Sequence, residues 1–165
     1  MTVELCAPQT DESGIWIAKV GRTKLGLSPQ AGWSLQLREE THAMATPQDM
    51  TFVLPLLEIG RPSMYSHLQA ISNEMPDIGP RLMAFPETLL LRCAFETSVS
   101  DYWPLKGIEW FDSSPDLVGQ LGDVLRDLQK RSWATQILKQ KVKSTLKRCQ
   151  ITGRDCIHLA RPAQS

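Results

Sequence analysis

The apolar residues change their spacing once along the chain, and this change constrains the fold more than any other feature. Within residues 14–39, Trp33, Leu35 and Leu37 alternate with polar residues, which is the two-residue period of a half-buried strand. After residue 46 the apolar residues recur every three or four positions, the period of an amphipathic helix. We therefore predict an α+β fold in which the strands come first and the helices dominate.

The predicted β region spans residues 14–39. A β-prone run covers 15–20, and turns are predicted at Gly21-Arg22 and at 28–32, because glycine and proline interrupt the apolar pattern there. These turns divide the region into a short antiparallel hairpin or a three-stranded sheet. Residues 1–13 carry few apolar side chains and are expected to form a loose N-terminus.

Residues 46–149 are predicted to be mainly helical and to form a bundle of about four to five helices. The apolar spacing, together with proline, serine and aspartate at the expected starts, marks helices in four segments. These segments are 62–76, 101–111, 115–128 and 131–148. Gly153 is expected to end the last helix, so that 154–165 form a tail. All 165 residues fit one domain, since domains commonly contain about 100–200 residues.

Two segments allow both a helix and a strand. Residues 47–59 begin with the cap residue, proline and acid of a helix start, but Pro55 would kink or end that helix. A strand through 51–54 is the alternative. Residues 87–97 show strand-like alternation, whereas proline followed by an acid at their start favours a buried helix.

The chain lacks the features of a membrane or secreted protein. Its longest uninterrupted apolar run is six residues, Phe52 to Leu57, whereas a membrane-spanning helix requires about 20 apolar residues. The first residues also lack the basic start and apolar stretch of a secretory signal. We therefore expect a cytoplasmic protein with no membrane partner. Its four cysteines are then expected to be reduced thiols: Cys6, Cys93, Cys149 and Cys156.

The charge is strongly asymmetric although the net charge is zero. Residues 1–128 hold nine basic and 17 acidic residues, whereas residues 129–165 hold nine basic residues and one acid. The predicted helix 131–148 carries a candidate basic surface: Lys139, Lys141, Lys143, Lys147 and Arg148. One interpretation is a surface for phosphate backbones. The other, which we favour, is a solvated face whose charge answers acids on the preceding helix, such as Asp116, Asp123 and Asp127.

Aromatic residues gather around the predicted helix at 101–111. Tryptophan is enriched at protein-interaction hot spots, and an exposed apolar patch commonly marks a partner site. The candidate partner-binding residues are Tyr102, Trp103, Trp110 and Phe111. We expect one or two of them to be exposed, and Trp110 is the primary candidate.

No catalytic motif or metal-binding pattern is found in the sequence. Cys149, Cys156 and His158 have a spacing that matches no common zinc site. Glu39, Glu40 and His42 are interpreted as an exposed charge cluster rather than as acid–base residues, because adjacency in sequence does not show a shared pocket. The sequence therefore predicts no metal, no cofactor and no enzyme activity.

The leading functional hypothesis is a non-catalytic protein-interaction module, such as an adaptor, an assembly or regulatory factor, or an immunity-type protein. It predicts a protein partner or self-association, in which the acidic and basic regions of two copies meet. One alternative is nucleic-acid binding through the basic helix at 131–148. The other alternative is an enzyme whose site has no recognisable motif.

Overall fold

The computed structural model describes residues 1–158, and the side chains of residues 1–150. Five strands form one antiparallel sheet, in which each strand pairs with the next along the chain. The strands are β1 (Val3–Asp11), β2 (Gly14–Val20), β3 (Thr23–Ser28), β4 (Gly32–Leu37) and β5 (Glu40–Ala43). The α+β class is confirmed, but the predicted two or three strands are too few.

Both edge strands differ from the sequence prediction. Residues 1–13 do not form a loose terminus, because β1 pairs with β2 along most of its length. The strand β5 lies beyond the predicted end of the β region at residue 39 and pairs with β4. Side chains in β1 are mostly exposed or half-buried, and all those in β5 are exposed. In β1, Val3 and Leu5 are half-buried against the main core, and β5 has no buried side chain, so the periodic signal on which the prediction depended is weak in both strands.

The sheet buries residues on both of its faces. Ile15 pairs with Leu27, which in turn pairs with Trp33, and this row faces the main core. The next row, which consists of Trp16, Gly26 and Ser34, faces the opposite side because strand side chains alternate. Trp16 is only 2% exposed and does not belong to the main core.

Gly26 allows β2 and β3 to approach each other closely. A Cβ atom at this position would lie 2.0 Å from the carbonyl oxygen of Ile15 and 2.8 Å from the Cα of Trp16. Real Cβ atoms do not come so close to backbone atoms, so the strand pair requires glycine at this position.

Seven α-helices follow the sheet within residues 1–158. They are α1 (Leu56–Ile59), α2 (Arg61–Glu74), α3 (Gly79–Met83), α4 (Glu87–Glu96), α5 (Tyr102–Trp110), α6 (Leu117–Gln129) and α7 (Gln136–His158). Three 3₁₀ helices lie between them, at Pro47–Val53, Pro76–Ile78 and Phe111–Ser113. The prediction of a mainly helical region from residue 46 is confirmed, although the predicted four to five helices are too few.

The two ambiguous segments are both helical. Residues 47–59 form a 3₁₀ helix followed by α1, and Pro55 lies at the junction because its ring does not fit inside a continuous helix. Asp49 stabilises the start of this segment, since its Oδ2 accepts hydrogen bonds from the backbone N–H groups of Ala45 and Thr46. These bonds lower the pKa of Asp49. Residues 87–96 form the helix α4, so the alternative of a strand in either segment is wrong.

The last helix differs from its prediction at both ends. The helix α7 begins at Gln136 rather than near Arg131, and it continues to His158, beyond the predicted end at Gly153. The part of the predicted tail at 154–158 is therefore helical, and its remainder, 159–165, lies outside the described residues. None of the helices in residues 1–158 combines the length and the apolar composition needed to cross a bilayer.

Specific contacts join the sheet to the helices. The indole Nε1–H of Trp33 donates to the carbonyl oxygen of Arg81 at 2.9 Å, and the Trp33 ring meets Phe85 edge-to-face at 5.0 Å. The Arg81 side chain donates to the carbonyl of Ser28 at 2.9 Å. The main apolar core continues from these contacts through α2, α4, α5 and α6 to α7.

Candidate functional site

The aromatic residues around α5 do not share one surface. Trp110 and Phe111 are each 2% exposed, and Phe111 packs on Phe95 with ring centroids 6.0 Å apart. This corrects the expectation that Trp110 is the primary contact residue. The error has a physical reason, because α5 packs against α4 and α7, and Trp110 and Phe111 at its C-terminal end belong to the main core.

The other two candidate residues lie at the surface. Tyr102 is 50% exposed, and its ring meets the half-buried ring of Trp103 edge-to-face at 4.9 Å. Trp103 packs on the main core. Of the four aromatic residues, one or two of which were expected to be exposed, Tyr102 is exposed and Trp103 is half-buried.

Trp103 lines a surface groove of about 300 Å³, which we call the Trp103 groove. The groove lies between the first residues of the chain, the 3₁₀ helix at 47–53, and the helices α1 and α5. Its lining residues are Met1, Thr51, Leu54, Pro55, Glu58 and Trp103. Leu54 and Pro55 are buried and form an apolar floor of the groove.

The rim of the Trp103 groove combines an aromatic ring with a carboxylate. The Tyr102 hydroxyl donates a hydrogen bond to Oε1 of Glu58, which holds the two exposed side chains together. This bond to the Glu58 carboxylate raises the pKa of Tyr102. A carboxylate has several acceptor sites, so Glu58 can also pair with a cation that approaches the groove.

Sequence analysis does not identify the other contributors to the groove. The lining residue Met1 is 82% exposed; Phe52, which does not line the groove but follows the lining residue Thr51, is 48% exposed. The run from Phe52 to Leu57 is apolar throughout, and such a run indicates burial. The 3₁₀ geometry turns Phe52 outwards while Val53 is fully buried. Only the backbone conformation distinguishes these two neighbours.

The candidate basic surface lies on the solvent side and the flanks of α7. Leu138, Val142 and Thr145 form the buried side of this helix. The basic residues are exposed except for Lys139, which is half-buried: Lys139, Lys141, Lys143, Lys147 and Arg148. A hundred degrees of rotation per residue places Lys139, Lys143 and Lys147 along one side, and Lys141 and Arg148 along the other.

The four lysines are not neutralised by acids of α6. Asp123 pairs with Arg92 of α4 at 3.2 Å, and Asp127 pairs with Lys130 at 2.9 Å. Among the residues that the structure describes, none forms an ion pair with Lys139, Lys141, Lys143 or Lys147. The direct ion pairs of Asp123 and Asp127 are therefore with other residues than these lysines. Arg148 differs, since it pairs with Asp112 at 3.5 Å.

The histidine, cysteine and acidic side chains that the structure describes do not converge on a metal or acid–base site. In the part of the chain with described side chains, no group of three histidine, cysteine or acidic residues is close enough to hold a metal ion. Cys149 is half-buried on α7, and the side chains of Cys156 and His158 lie outside the described residues. Glu40 and His42 lie 3.6 Å apart on the exposed strand β5, as expected for an exposed charge cluster.

Comparison with known proteins gives no further assignment. No model of a protein family, no curated protein and no solved structure matches the chain.

Proposed function

We propose that this protein is a non-catalytic interaction module that binds a protein partner through the Trp103 groove. The observation that carries the proposal is the half-exposed aromatic pair Tyr102 and Trp103 beside an apolar floor made by Leu54 and Pro55. An aromatic anchor beside a preformed apolar groove is the usual centre of a protein interface.

The charge of the groove defines the chemistry of the partner. Glu58 brings a carboxylate to the groove, and residues 1–128 carry a net charge of −8. The best complement is a partner segment with an apolar side chain next to a lysine or arginine, because the apolar group fills the groove and the cation pairs with Glu58. A second copy of this chain is one source of such a segment, since exposed Ile137 and Lys141 are four residues apart on α7.

The test changes the rim of the groove without changing the core. Tyr102→Ala removes the exposed ring, and Glu58→Lys reverses the charge that the partner would meet. Each tagged variant and the wild type are used to capture proteins from an extract of the producing cells after nuclease treatment, with mass-spectrometric quantification. We expect one nuclease-resistant partner, whose recovery falls about tenfold or more in both variants.

Two variants remote from the groove serve as controls. Glu74→Lys reverses an exposed charge at the end of α2, and Met83→Ala shortens an exposed apolar side chain on α3. Both should retain the partner. Equal capture by all four variants, or the absence of a nuclease-resistant partner, would contradict the proposal. Sedimentation of the purified protein then distinguishes a second copy from another chain.

Nucleic-acid binding through α7 is the second candidate, because its four lysines have no ion pair in the described part of the chain. Free lysines on one helix can neutralise phosphates and release counterions, so affinity would fall steeply with salt. Lys141, Lys143 and Lys147 are exposed, so their ammonium groups can reach a phosphate without a rearrangement of the fold.

The second candidate is tested by fluorescence anisotropy with labelled duplex DNA and RNA over a range of salt concentrations. Lys143→Glu combined with Lys147→Glu should abolish binding if α7 contacts phosphates. The matched control combines Arg22→Glu with Arg38→Glu in the β2–β3 and β4–β5 turns, which changes the net charge equally at two exposed positions. Equal loss in both double variants indicates a non-specific charge effect and contradicts a site on α7.

A further inference from the structure

The strand β5 forms one edge of the sheet, and in the described part of the chain only β4 pairs with it. All four of its side chains are exposed: Glu40, Thr41, His42 and Ala43. The pairing with β4 is regular, without a bulge, and β5 contains no proline. Such an edge presents backbone N–H and C=O groups to which a further strand can bind.

The opposite edge of the sheet, β1, is protected against a further strand. Its register with β2 shifts between Leu5 and Gln9, and Pro8 within this irregular stretch has no N–H group to donate. Bulges and prolines are common means by which edge strands avoid pairing. Since β5 has neither, a further strand is expected at β5 and not at β1.

The hydrogen bonds to β4 determine which backbone groups of β5 face the open edge. The N–H of Met44 donates to the carbonyl oxygen of Trp33 at 3.0 Å, so these two residues form a hydrogen-bonded pair. Hydrogen-bonded and non-hydrogen-bonded pairs alternate along an antiparallel ladder. The pairs that Glu40 and His42 form with β4 are therefore hydrogen-bonded. Thr41 lies between them, so its N–H and C=O groups face the open edge.

The charges of β5 select one register for pairing with a second copy of the same strand. Outward-facing residues must lie opposite each other, and when Thr41 pairs with Thr41 of the second copy, each Glu40 lies opposite His42. A shift of two residues in either direction brings Glu40 opposite Glu40, or His42 opposite His42. Opposite charges across a strand pair stabilise it, whereas like charges destabilise it. Charge complementarity therefore favours the register centred on Thr41.

Glu40 and His42 are accessible for this contact. Within one chain their side chains lie 3.6 Å apart, and they are 83% and 49% exposed. A carboxylate has several acceptor sites, so Glu40 can accept a hydrogen bond from a second histidine. An imidazole can donate such a bond in its neutral or its protonated form.

We propose that a second copy of this chain binds at the open edge of β5, so that the two β5 strands pair antiparallel across a twofold axis at Thr41. The two Thr41 residues exchange N–H···O=C hydrogen bonds, and the two five-stranded sheets join into one. The contact is self-complementary and closes at two copies. It is weak, because a strand of four residues buries little surface. No residue of β5 lines the Trp103 groove, so the proposal does not depend on that groove.

Sedimentation equilibrium of the purified protein, from about 10 μM to about 1 mM, tests the dimer. We expect a reversible equilibrium between monomer and dimer. Thr41→Pro removes the N–H that faces the edge and should weaken dimerisation about tenfold or more. Thr41→Val is the matched control, because it keeps this N–H, and its dissociation constant should stay within about threefold. A monomer at every concentration, an assembly larger than a dimer, or an equal effect of the two substitutions would overturn the proposal.

Charge substitutions test the register without changing the backbone. Glu40→Gln and His42→Gln each remove two cross-strand pairs and should weaken dimerisation about two- to tenfold. Glu4→Gln, at an exposed acid on β1, is the control and should leave the dissociation constant within about twofold. A stronger dimer in Glu40→Gln or in His42→Gln would show a different register and overturn the proposal. So would loss of the dimer in Tyr102→Ala, because it would assign the contact to the Trp103 groove.

A mixing experiment tests the pairing of the two charged positions directly. Glu40→Lys and His42→Glu should each be monomeric, since each places like charges opposite each other in a dimer of identical copies. An equimolar mixture of the two variants should form a dimer, because every introduced charge then meets an opposite charge in the other copy. Failure of the mixture to dimerise, although both variants retain the Tm of the wild type to within a few degrees, would contradict the pairing of Glu40 with His42.

Discussion

Oδ2 of Asp11 accepts a hydrogen bond of 2.9 Å from the indole Nε1–H of Trp16, across the first hairpin of the sheet. The other carboxylate oxygen, Oδ1, accepts hydrogen bonds from the backbone N–H and the hydroxyl of Ser13, and from the N–H of Gly14. One side chain thus closes the turn between β1 and β2 and satisfies the polar atom of a buried tryptophan.

Asp11 should make the stability of the protein depend on pH in the acidic range. Its hydrogen bonds, chiefly that from the Ser13 hydroxyl, lower the pKa of Asp11 from 3.8 to about 2. A lowered pKa means that the ionised form stabilises the fold above about pH 4, and that this contribution is lost as the pH falls towards 2. Asp11→Asn should therefore lower Tm at neutral pH, and its difference from the wild type should close between about pH 4 and pH 2. Glu12→Gln, at an exposed neighbour, is the control; a constant difference for Asp11→Asn would contradict the assignment.

Two Gly→Ala substitutions should have opposite effects. Gly26→Ala places a methyl group 2.0 Å from the Ile15 carbonyl oxygen, so it should destabilise the fold by about 3 kcal/mol or more. Gly119→Ala on α6 meets no atom within 4 Å and should stabilise the protein by about 0.5–1 kcal/mol, since alanine favours a helix. Urea unfolding measures both values. Similar effects of the two substitutions would show that β2 and β3 do not approach as closely as described.

Trp110→Ala should lower the free energy of unfolding, because Trp110 is a core residue and not a surface contact. Trp110 is 2% exposed, and truncation of a buried tryptophan costs about 3–5 kcal/mol. Its indole N–H has no partner among the described residues, so Trp110→Phe should cost less, because it also removes an unsatisfied donor. Denaturant unfolding gives both values, and Tyr102→Ala should change the free energy of unfolding by less than about 1 kcal/mol. If Trp110→Ala left the free energy of unfolding unchanged, the burial of Trp110 would be contradicted.

The pair of Arg61 and Glu87 should stabilise the fold more than the exposed ion pairs do. Arg61 donates to Glu87 from Nε at 2.7 Å and from Nη2 at 3.1 Å, and the two side chains are 19% and 13% exposed. These contacts join the starts of α2 and α4, and the Tyr65 ring lies 4.1 Å from the guanidinium carbon.

A double-mutant cycle with Arg61→Gln and Glu87→Gln should give a coupling energy of about 1–3 kcal/mol. The matched cycle with Arg92→Gln and Asp123→Asn should give less than about 1 kcal/mol, since Asp123 is 63% exposed. Equal coupling energies in the two cycles would contradict a special role for Arg61 and Glu87.

The helical part of the fold follows largely from local sequence. The apolar spacing of Leu117, Leu121, Val124 and Leu128 predicts α6, and these four residues are buried as expected. The same reasoning locates α2 and α5 to within a few residues, whereas it left the segment of α4 open between helix and strand. Local signals suffice for these helices because one apolar side is buried against one core.

The candidate site was less predictable than the helices. Residues 102–111 form an aromatic cluster in the sequence, but the sequence does not show which of them are exposed. In the structure Tyr102 lies at the surface and Trp110 lies in the core. The groove beside Trp103 also requires Met1 and Pro55, which are far from it in sequence. Similarly, the sequence does not indicate that Asp123 and Asp127 of α6 pair with Arg92 and Lys130 rather than with lysines of α7.

The sequence by itself determined the order of strands and helices, the position of the main helical segments and the accumulation of basic residues in the last helix, because each depends on neighbouring residues along the chain. Only the tertiary structure decided that β1 and β5 extend the sheet, which aromatic rings reach solvent, and that the Thr145 hydroxyl is buried without a hydrogen-bond partner among the described residues. The physical reason is that strand pairing at an edge, burial and cavity shape depend on groups distant in sequence. The backbone hydrogen bonds and the packing that produce these features do not require a regular apolar spacing in the sequence, so a search for periodicity does not detect them.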